Sequence, residues 1–265
     1  MSVRICIICM CALIFGVGNV VAEENQEPAP PVITAAADTK YALEEIATAF
    51  TRETGKSVKL SFGSSGNAYR QLQQGAPFEM FLSADENYAL DLADKGMTLD
   101  RGTLYAVGRI VIMVPPDSPL KPDAELTDLR AALAEGRLQK FAIPNPEHAP
   151  YGRAAKEALQ KAGLWEMIEP KLVLGEDATQ ATQFALKGST QGGILPFSFS
   201  SAPAIAKLGK AVLIPADWHN PLRQRMILMK NAGPVTKAFY AYLQQPEARS
   251  VLVRYGFVLP EEKGN

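Results

Sequence analysis

The sequence predicts an α/β fold with two lobes, in which parallel-rich sheets are flanked by helices. Short apolar segments alternate with segments of helical periodicity, which is typical of parallel strands joined by crossover helices. The alternation occurs in both halves of the chain, and small polar residues stand where strands meet helices. Because ligands bind at the carboxyl ends of such strands, we expect the polar junctions to face a cleft between the lobes.

The first half of the chain contains three strand–helix units. In the first helix, Leu43, Ile46 and Phe50 recur at helical spacing on one face, and Asp38 or Thr39 is expected to cap its start. The predicted strands are 32–36, 58–62 and 80–84, and the predicted helices are 40–54, 68–74 and 87–95.

The second half repeats the same alternation and adds two closing helices. The predicted strands are 110–114, 140–143, 171–174, 193–195, 212–214 and 225–229, and the predicted helices are 126–133, 153–162, 179–187, 235–243 and 246–255. We assign residues 32–104 and 224–265 to lobe I and residues 105–223 to lobe II. Two lobes imply a hinge, which allows a ligand cleft to close.

The N-terminal segment has the pattern of a secretory signal peptide. Arg4 makes a short basic start, residues 5–21 are apolar or small, and acidic residues follow Ala22. We expect cleavage after Ala22, so that residues 1–22 are removed. The alternative is a membrane anchor, although the apolar segment is short for a span of about 20 residues. Residues 23–31 are acidic and Pro-rich, which predicts a linker.

Composition argues against several classes of protein. The chain has 27 Lys and Arg against 28 Asp and Glu, and it has no basic cluster of the kind that binds nucleic acid. All three cysteines, Cys6, Cys9 and Cys11, lie in the predicted signal peptide. The exported chain is therefore expected to fold without disulfides and to rely on its own core. We also expect a monomer.

The loop after the second strand carries the sharpest site signal. Residues 63–67 read Gly-Ser-Ser-Gly-Asn and stand directly before a helix. A helix start offers unpaired N–H groups and the positive end of the helix dipole, so Ser64 and Ser65 can hold an anion there without Lys or Arg. The alternative is a simple helix cap. The hydrolase pattern G-x-S-x-G is not met, because Asn67 occupies its last position.

Three other junctions contain candidate anion contacts. Asp38 and Thr39 precede the first helix, where Asp38 repels an anion unless it caps the helix or accepts a proton from the ligand. Tyr151 stands at a helix start with its backbone N–H available and its ring placed to close the cleft; the alternative is a surface aromatic residue. Ala178, at the next helix start, offers only its backbone N–H.

Catalytic and metal sites find little support in the sequence. The two histidines, His148 and His219, lack metal-ligand spacing such as H-E-x-x-H, and we interpret His148 as a loop residue. Two isolated histidines and no cysteine in the exported chain leave little material for a catalytic triad or a metal-cation site, and we expect no cofactor.

Seven stretches of the sequence together resemble the molybdate-binding periplasmic protein family of ABC transporters, over nearly the whole exported chain. The most diagnostic stretch is 75–85, which reads Gly-Ala-Pro-Phe-Glu-Met-Phe-Leu-Ser-Ala-Asp. The other stretches are 35–38, 61–67, 145–152, 154–159, 175–177 and 254–257.

The resemblance implies a periplasmic solute-binding protein with the type II two-lobed periplasmic binding protein fold and its ligand in the interlobe cleft. It implies capture of molybdate, and usually tungstate, and delivery to a membrane-embedded ABC permease, without enzymatic activity. Ser65 matches the best-defined hydroxyl ligand of the family, and two other positions match backbone N–H donors. The implied contacts are Asp38, Thr39, Ser64, Ser65, Tyr151 and Ala178.

The sequence departs from the family pattern at two positions. Many members carry Ser or Thr where Asp38 stands. Some members use a tyrosine where Pro196 stands, and Pro196 has neither a hydroxyl nor an N–H. Ser198 is a candidate to supply the missing contact.

Three other functions fit the sequence. The first is the same fold binding phosphate or sulfate, with Asp38 or Asp177 accepting the proton of phosphate. The second is a secreted serine hydrolase, in which Ser65 is the nucleophile and His148 the base. The third is a binding module that senses its ligand without transport. Titration with molybdate, tungstate, sulfate and phosphate distinguishes the first of these from the molybdate hypothesis.

Overall fold

The computed structural model describes residues 29–188 and 190–260. The predicted signal peptide, residues 1–22, and most of the predicted linker lie outside the described residues. Ten strands and eleven α-helices lie within the described part of the chain. None of the helices in that part is both long and apolar enough to cross a membrane.

The strands form two separate five-stranded sheets. They are β1 (Val32–Ala36), β2 (Lys59–Gly63), β3 (Met80–Ser83), β4 (Thr103–Gly108), β5 (Ile110–Val114), β6 (Phe141–Pro144), β7 (Leu172–Gly175), β8 (Gly193–Pro196), β9 (Lys210–Leu213) and β10 (Leu222–Leu228). The strand order is β2-β1-β3-β10-β4 in lobe I and β7-β6-β8-β5-β9 in lobe II. The predicted α/β fold of two lobes is therefore confirmed.

Helices flank both sheets. They are α1 (Lys40–Thr54), α2 (Ser65–Gln73), α3 (Glu86–Asp94), α4 (Thr127–Ala134), α5 (Pro150–Lys161), α6 (Trp165–Ile168), α7 (Ala178–Leu186), α8 (Phe197–Ser200), α9 (Pro203–Ala206), α10 (Pro234–Tyr242) and α11 (Pro246–Arg254). Two of them begin three residues earlier than the sequence predicts, α2 at Ser65 rather than residue 68 and α5 at Pro150 rather than residue 153. The polar junctions therefore belong to the first turns of these helices.

Each sheet is mixed rather than purely parallel. β1 is parallel to β2 and β3, and β6 is parallel to β7 and β8. In contrast, β10 is antiparallel to β3 and β4, and β5 is antiparallel to β8 and β9. The parallel strands follow crossover helices, whereas β5 and β10 enter their sheets directly after the chain changes lobe.

The chain passes between the lobes twice. β4 ends at Gly108 and β5 begins at Ile110, so Arg109 forms the whole first connection, and residues 214–221 form the second. Our sequence-based division points, at 104/105 and 223/224, fall inside β4 and β10, which pair with each other in the lobe I sheet. The strand pairing therefore places all of β4 and β10 in lobe I.

The core of lobe I forms where α1 packs against the sheet. Leu43, Ile46 and Phe50 are buried on one face of α1, and they pack with Ile33 and Ala35 of β1. Fully burying one such aliphatic or aromatic side chain stabilises a fold by about 1.5–3 kcal/mol. The three residues at the predicted helical spacing thus form the buried face of the helix.

The start of α1 differs from its predicted cap. A 3₁₀ turn, Ala37–Thr39, leads into the helix, and neither Asp38 nor Thr39 caps it with its side chain. The Thr39 hydroxyl instead donates to the carbonyl oxygen of Ala36 at 2.7 Å. Because the Asp38 carboxyl does not cap the helix, it is free to form hydrogen bonds with other parts of the protein.

Candidate anion-binding site

One small cavity lies between the lobes, at the carboxyl ends of strands and the starts of helices. Residues of both lobes line it, and five of the six predicted contacts are among them. The lining residues are Ala36, Ala37, Asp38, Gly63, Ser64, Ser65 and Ala84 of lobe I, and Ala149, Pro150, Tyr151 and Ala178 of lobe II. None of these lining residues is a lysine, an arginine or a histidine.

Ser65 is the first residue of α2 and has the best placed hydroxyl in the cavity. It is buried, with 1% of its surface exposed. Its Oγ accepts the backbone N–H of Ala84 at 2.9 Å. Because that bond uses the oxygen as an acceptor, the hydroxyl proton remains available to donate to a ligand oxygen.

Ser64 has a different set of partners from its neighbour. Its Oγ accepts the backbone N–H of Asn67 at 3.3 Å and thereby caps α2. The same oxygen lies 2.9 Å from Nδ1 of His148, which belongs to lobe II. Ser64 therefore joins the lobes as well as lining the cavity, whereas the Ser65 hydroxyl has no such second partner.

Lobe II reaches the cavity through the starts of α5 and α7. Tyr151 follows Pro150 in the first turn of α5, and Ala178 is the first residue of α7. Backbone N–H groups in a first helical turn lack partners inside the helix, and the helix dipole favours negative charge there. The Asp177 side chain caps α7 by accepting the backbone N–H of Gln180, which leaves the Ala178 N–H unused by this cap.

Asp38 is the centre of a buried hydrogen-bond network that joins the lobes. Its Oδ2 accepts the Tyr151 hydroxyl at 2.9 Å and the side-chain N–H of Gln224 at 2.6 Å. Gln224 in turn accepts the Tyr105 hydroxyl at 2.7 Å. Among the described residues, the Asp38 Oδ1 atom is buried without a hydrogen-bond partner.

Burial controls the protonation of this network. Loss of solvation raises the pKa of Asp38 to about 7, although the hydrogen bonds from Gln224 and Tyr151 act in the opposite direction. Burial also raises the pKa of Tyr105 and of Tyr151 well above their ordinary range. Both phenols are therefore neutral donors at physiological pH, while Asp38 titrates close to neutrality.

Two residues considered from the sequence lie outside the cavity lining. The Thr39 hydroxyl is used by the Ala36 carbonyl, as described above. The Ser198 hydroxyl donates to the backbone oxygen of Asp38 at 2.8 Å. Pro196 ends β8, and neither it nor Ser198 lines the cavity. Ser198 thus holds the Asp38 turn in place from the opposite lobe.

Further contacts hold the lobes together around the cavity. The backbone N–H of Gly66 donates to the carbonyl oxygen of His148 at 2.9 Å. Arg153 of α5 pairs with Asp85 of lobe I and donates to the Tyr88 hydroxyl at 3.0 Å. A methyl group on Gly66 would lie 2.6 Å from the His148 oxygen, so only glycine permits this approach.

Sequence reasoning missed Gln224 and Tyr105, and it did not predict the contact that His148 makes with Ser64. Gln224 stands between two arginines in β10, and only the inward alternation of Leu222, Gln224 and Met226 distinguishes it. His148 lies in a loop, as the sequence predicts, but it is also buried and contacts Ser64 across the cleft. Their roles depend on contacts between distant segments, for which a single sequence carries no direct signal.

The hydrolase hypothesis does not fit these contacts. It requires a histidine beside Ser65, but His148 contacts Ser64, and the Ser65 oxygen accepts a backbone N–H. Among the described residues, no group of three or more His, Cys, Asp or Glu side chains is placed to hold a metal ion. The site is therefore best described as a set of hydrogen-bond donors.

A larger surface cleft lies between α1 and α11, within lobe I. Its charged lining residues are Glu45, Arg52, Glu53 and Glu247. Three carboxylates against one guanidinium do not favour an anion, and lobe II contributes no residue to it. The interlobe cavity is thus the better candidate despite its small size.

Comparison with known proteins identifies the family. The model of the bacterial extracellular solute-binding protein family matches residues 31–258. The chain belongs to this family. Its relatives include the molybdate-binding protein ModA of Rhodobacter capsulatus, which is 35% identical over 231 residues, covering 86% of this chain and 87% of that protein. ModA of Escherichia coli (strain K12) is 34% identical, covering 94% of this chain and 95% of that protein.

Solved structures agree with this family membership. The periplasmic molybdate-binding protein of Azotobacter vinelandii superposes with a TM-score of 0.79 at 27% identity, covering 87% of this chain and all of that chain. The sulfate-binding protein SubI of Mycobacterium tuberculosis H37Rv shares the fold, with a TM-score of 0.70 at 15% identity and 86% of each chain covered. The resemblance to the molybdate-binding family is confirmed, and so is the expectation of a solute-binding protein rather than an enzyme.

Proposed function

We propose that this protein is a periplasmic molybdate-binding component of an ABC transporter. The observation that carries the proposal is the convergence of neutral donors from both lobes on one cavity. The Ser65 hydroxyl and the first turns of α5 and α7 all reach it, and no cationic side chain lines it. The names of the relatives support molybdate as the ligand.

The donor set suits a tetrahedral dianion that carries no proton. Each ligand oxygen accepts hydrogen bonds from a hydroxyl or from backbone N–H groups, and bonds of this kind to a charged acceptor are short and strong. Bonds from both lobes favour the closed arrangement, because only that arrangement brings all donors to one anion. The ligand is bound and released without any covalent change, and no side chain coordinates its metal atom.

We also propose that tungstate binds at the same site and that the loaded protein delivers the anion to a membrane-embedded permease. Molybdate and tungstate have the same charge and shape, so donors that fit one fit the other. We further propose that the N-terminal segment directs export of the protein and that the protein is a monomer. Sulfate carries the same charge, so cavity size must distinguish it from molybdate.

The test is isothermal titration of the exported chain with sodium molybdate, tungstate, sulfate and phosphate. We expect heat and saturable binding with molybdate and tungstate at micromolar protein. Ser65→Ala should weaken molybdate binding by about 10- to 150-fold, because hydrogen bonds to charged groups contribute about 1.5–3 kcal/mol. Ser250→Ala, which removes an exposed hydroxyl on α11, is the matched control and should bind normally. Absence of heat with both molybdate and tungstate contradicts the proposal.

A second candidate ligand is a protonated oxyanion such as phosphate. One observation favours it, namely the unpartnered Oδ1 of Asp38, which can accept a proton from the ligand when the carboxyl is ionised. In that case phosphate, and not molybdate, produces the heat of binding in the same titration. The relatives favour molybdate over this alternative.

A further inference from the structure

We propose that Asp38 binds the ligand as a neutral acid, its Oδ1 proton donated to an oxygen of the bound dianion. This inference rests on the proposed function. When Asp38 is ionised in the free protein, the complex forms from the protein, a molybdate dianion and one proton taken up from solvent. No bond to the metal atom of the ligand forms or breaks.

The hydrogen bonds of Asp38 determine which oxygen carries the proton. Oδ2 already accepts two donors, the Tyr151 hydroxyl from lobe II and the Gln224 amide from lobe I. A proton on Oδ2 would point at these two donor hydrogens, so it belongs on Oδ1. Oδ1 is buried, has no partner among the described residues, and belongs to a residue that lines the cavity.

The charge of the ligand requires this proton. An ionised carboxylate beside a dianion would place three negative charges in one buried cavity, and like charges in a buried site raise the pKa of a carboxyl group. Burial, partly offset by the hydrogen bonds from Gln224 and Tyr151, raises the pKa of Asp38 to about 7 before any ligand is present. A bound dianion raises the pKa further, so the carboxyl group becomes a donor like the other groups in the cavity.

The other titratable groups around Asp38 do not supply a compensating positive charge. Tyr105 and Tyr151 are neutral because burial raises the pKa of each phenol well above its ordinary range. α1 and α7 pack on the Asp38 turn; Lys40 of α1 forms no ion pair with Asp38 among the described residues, and Asp177 before α7 is an acid that caps its own helix through the N–H of Gln180.

The arginines on the neighbouring elements are paired elsewhere. Arg153 of α5 pairs with Asp85, and Arg223 and Arg225 of β10 both pair with Glu86. These guanidinium groups do not line the cavity. Within the described residues, a proton on Asp38 is therefore the available means of removing the charge conflict.

The proposal predicts a specific pH dependence of molybdate binding. Above about pH 7, Asp38 in the free protein is increasingly ionised, and binding must take up a proton. The dissociation constant for molybdate should then rise with pH, by up to about tenfold per pH unit until the pKa of the complex is reached. Molybdate remains a dianion over this range, so the change belongs to the protein.

The experiment is isothermal titration of the exported chain with sodium molybdate between about pH 7 and about pH 9, in two buffers with different ionisation enthalpies. The difference in heat between the buffers gives the number of protons taken up, which should approach one at the alkaline end. Asp38→Asn keeps the size of the side chain and presents an N–H donor that does not titrate. It should bind molybdate with little pH dependence and without proton uptake.

Asp217→Asn, which changes an exposed acid outside the site, is the matched control and should keep the wild-type pH slope. The inference is overturned if the wild-type protein takes up no proton across this range, or if Asp38→Asn retains the wild-type slope. If Asp38→Asn does not fold, the absence of proton uptake by the wild-type protein still overturns the inference. The proposed function fails differently, since the wild-type protein then produces no heat with molybdate at any of these pH values.

Discussion

The two lobes contribute different chemistry to the same cavity. Lobe I supplies side chains, namely the Ser65 hydroxyl and the Asp38 carboxyl, whereas lobe II supplies the first-turn N–H groups of α5 and α7. A side-chain donor is removed by one substitution, but a backbone donor persists in every residue except proline. Substitution of side chains therefore tests lobe I, whereas lobe II is tested by changing how closely the lobes approach.

The largest expected effect concerns stability and the Asp38 carboxyl of lobe I. Its pKa is raised from 3.8 to about 7 in the folded protein, so the folded state holds a proton that the unfolded state releases between these values. The contribution of this group to stability is therefore present below about pH 4 and is lost as pH rises toward 7.

Asp38→Asn should remove that dependence. At pH 8 we expect the variant to be more stable than the wild-type protein by up to about 4 kcal/mol, since one pKa unit corresponds to about 1.36 kcal/mol. The difference should shrink as the pH falls to about 4. Urea unfolding followed by circular dichroism at both pH values measures it. Equal stability differences at the two pH values would contradict a raised pKa of the Asp38 carboxyl in the folded protein.

The second-largest effect is expected when lobe II is prevented from approaching lobe I. Gly66→Ala places a methyl group 2.6 Å from the His148 carbonyl oxygen, so the lobes cannot close fully and the N–H donors of α5 and α7 remain too far from the anion. Overpacking of this kind costs about 1–3 kcal/mol, and we expect molybdate to bind about 5- to 150-fold more weakly.

The control for this substitution is Gly233→Ala, since a methyl group there meets only the flexible Glu79 side chain of lobe I at 3.4 Å. Titration calorimetry of both variants makes the comparison. Normal binding by Gly66→Ala would show that lobe II donors are not needed in the closed position, and the difference between the lobes would then have no functional meaning.

The smallest effect concerns the rim of the cleft. Arg153 and Asp85 join the lobes there, but both side chains are partly exposed to solvent, at 35% and 23%. Exposed ion pairs typically contribute about 0.2–1 kcal/mol and are screened by salt. Arg153→Ala should therefore weaken molybdate binding by no more than about fivefold, and less in high salt.

Titration of Arg153→Ala at low and at high ionic strength measures this contribution. Arg249→Ala, a substitution on α11 in lobe I, provides the comparison with loss of an arginine remote from the cleft. An effect of Arg153→Ala as large as that of Gly66→Ala would mean that the rim, and not the buried donors, controls closure.

Much of the fold could be predicted from local patterns. The spacing of Leu43, Ile46 and Phe50 predicted α1 and its buried face, and Gly55 ends that helix with a left-handed φ of 69°. β4 was missed, because residues 103–114 form one strand-forming run interrupted only by Gly108 and Arg109. The chain changes lobe at that interruption, and nothing local distinguishes such a crossing from a bulge.

Part of the lining of the candidate site could also be predicted from local patterns. Ser64, Ser65, Tyr151 and Ala178 stand at helix starts, and a helix start is a local property of the sequence with a known preference for anions. Gln224 and Tyr105 have no such local property. They belong to the network only because β10 returns from lobe II and pairs beside β4.

The sequence by itself determined the alternation of strands and helices, the helix starts with their small polar residues, and the absence of disulfides from the chain after residue 22. These follow from backbone and side-chain preferences that act over a few residues. Only the tertiary structure decided that Asp38 meets Tyr151 and Gln224, which are 113 and 186 residues away along the chain. Burial and hydrogen bonding between such distant segments depend on how the lobes close, and that closure determines whether Asp38 is a repelling charge or a neutral donor.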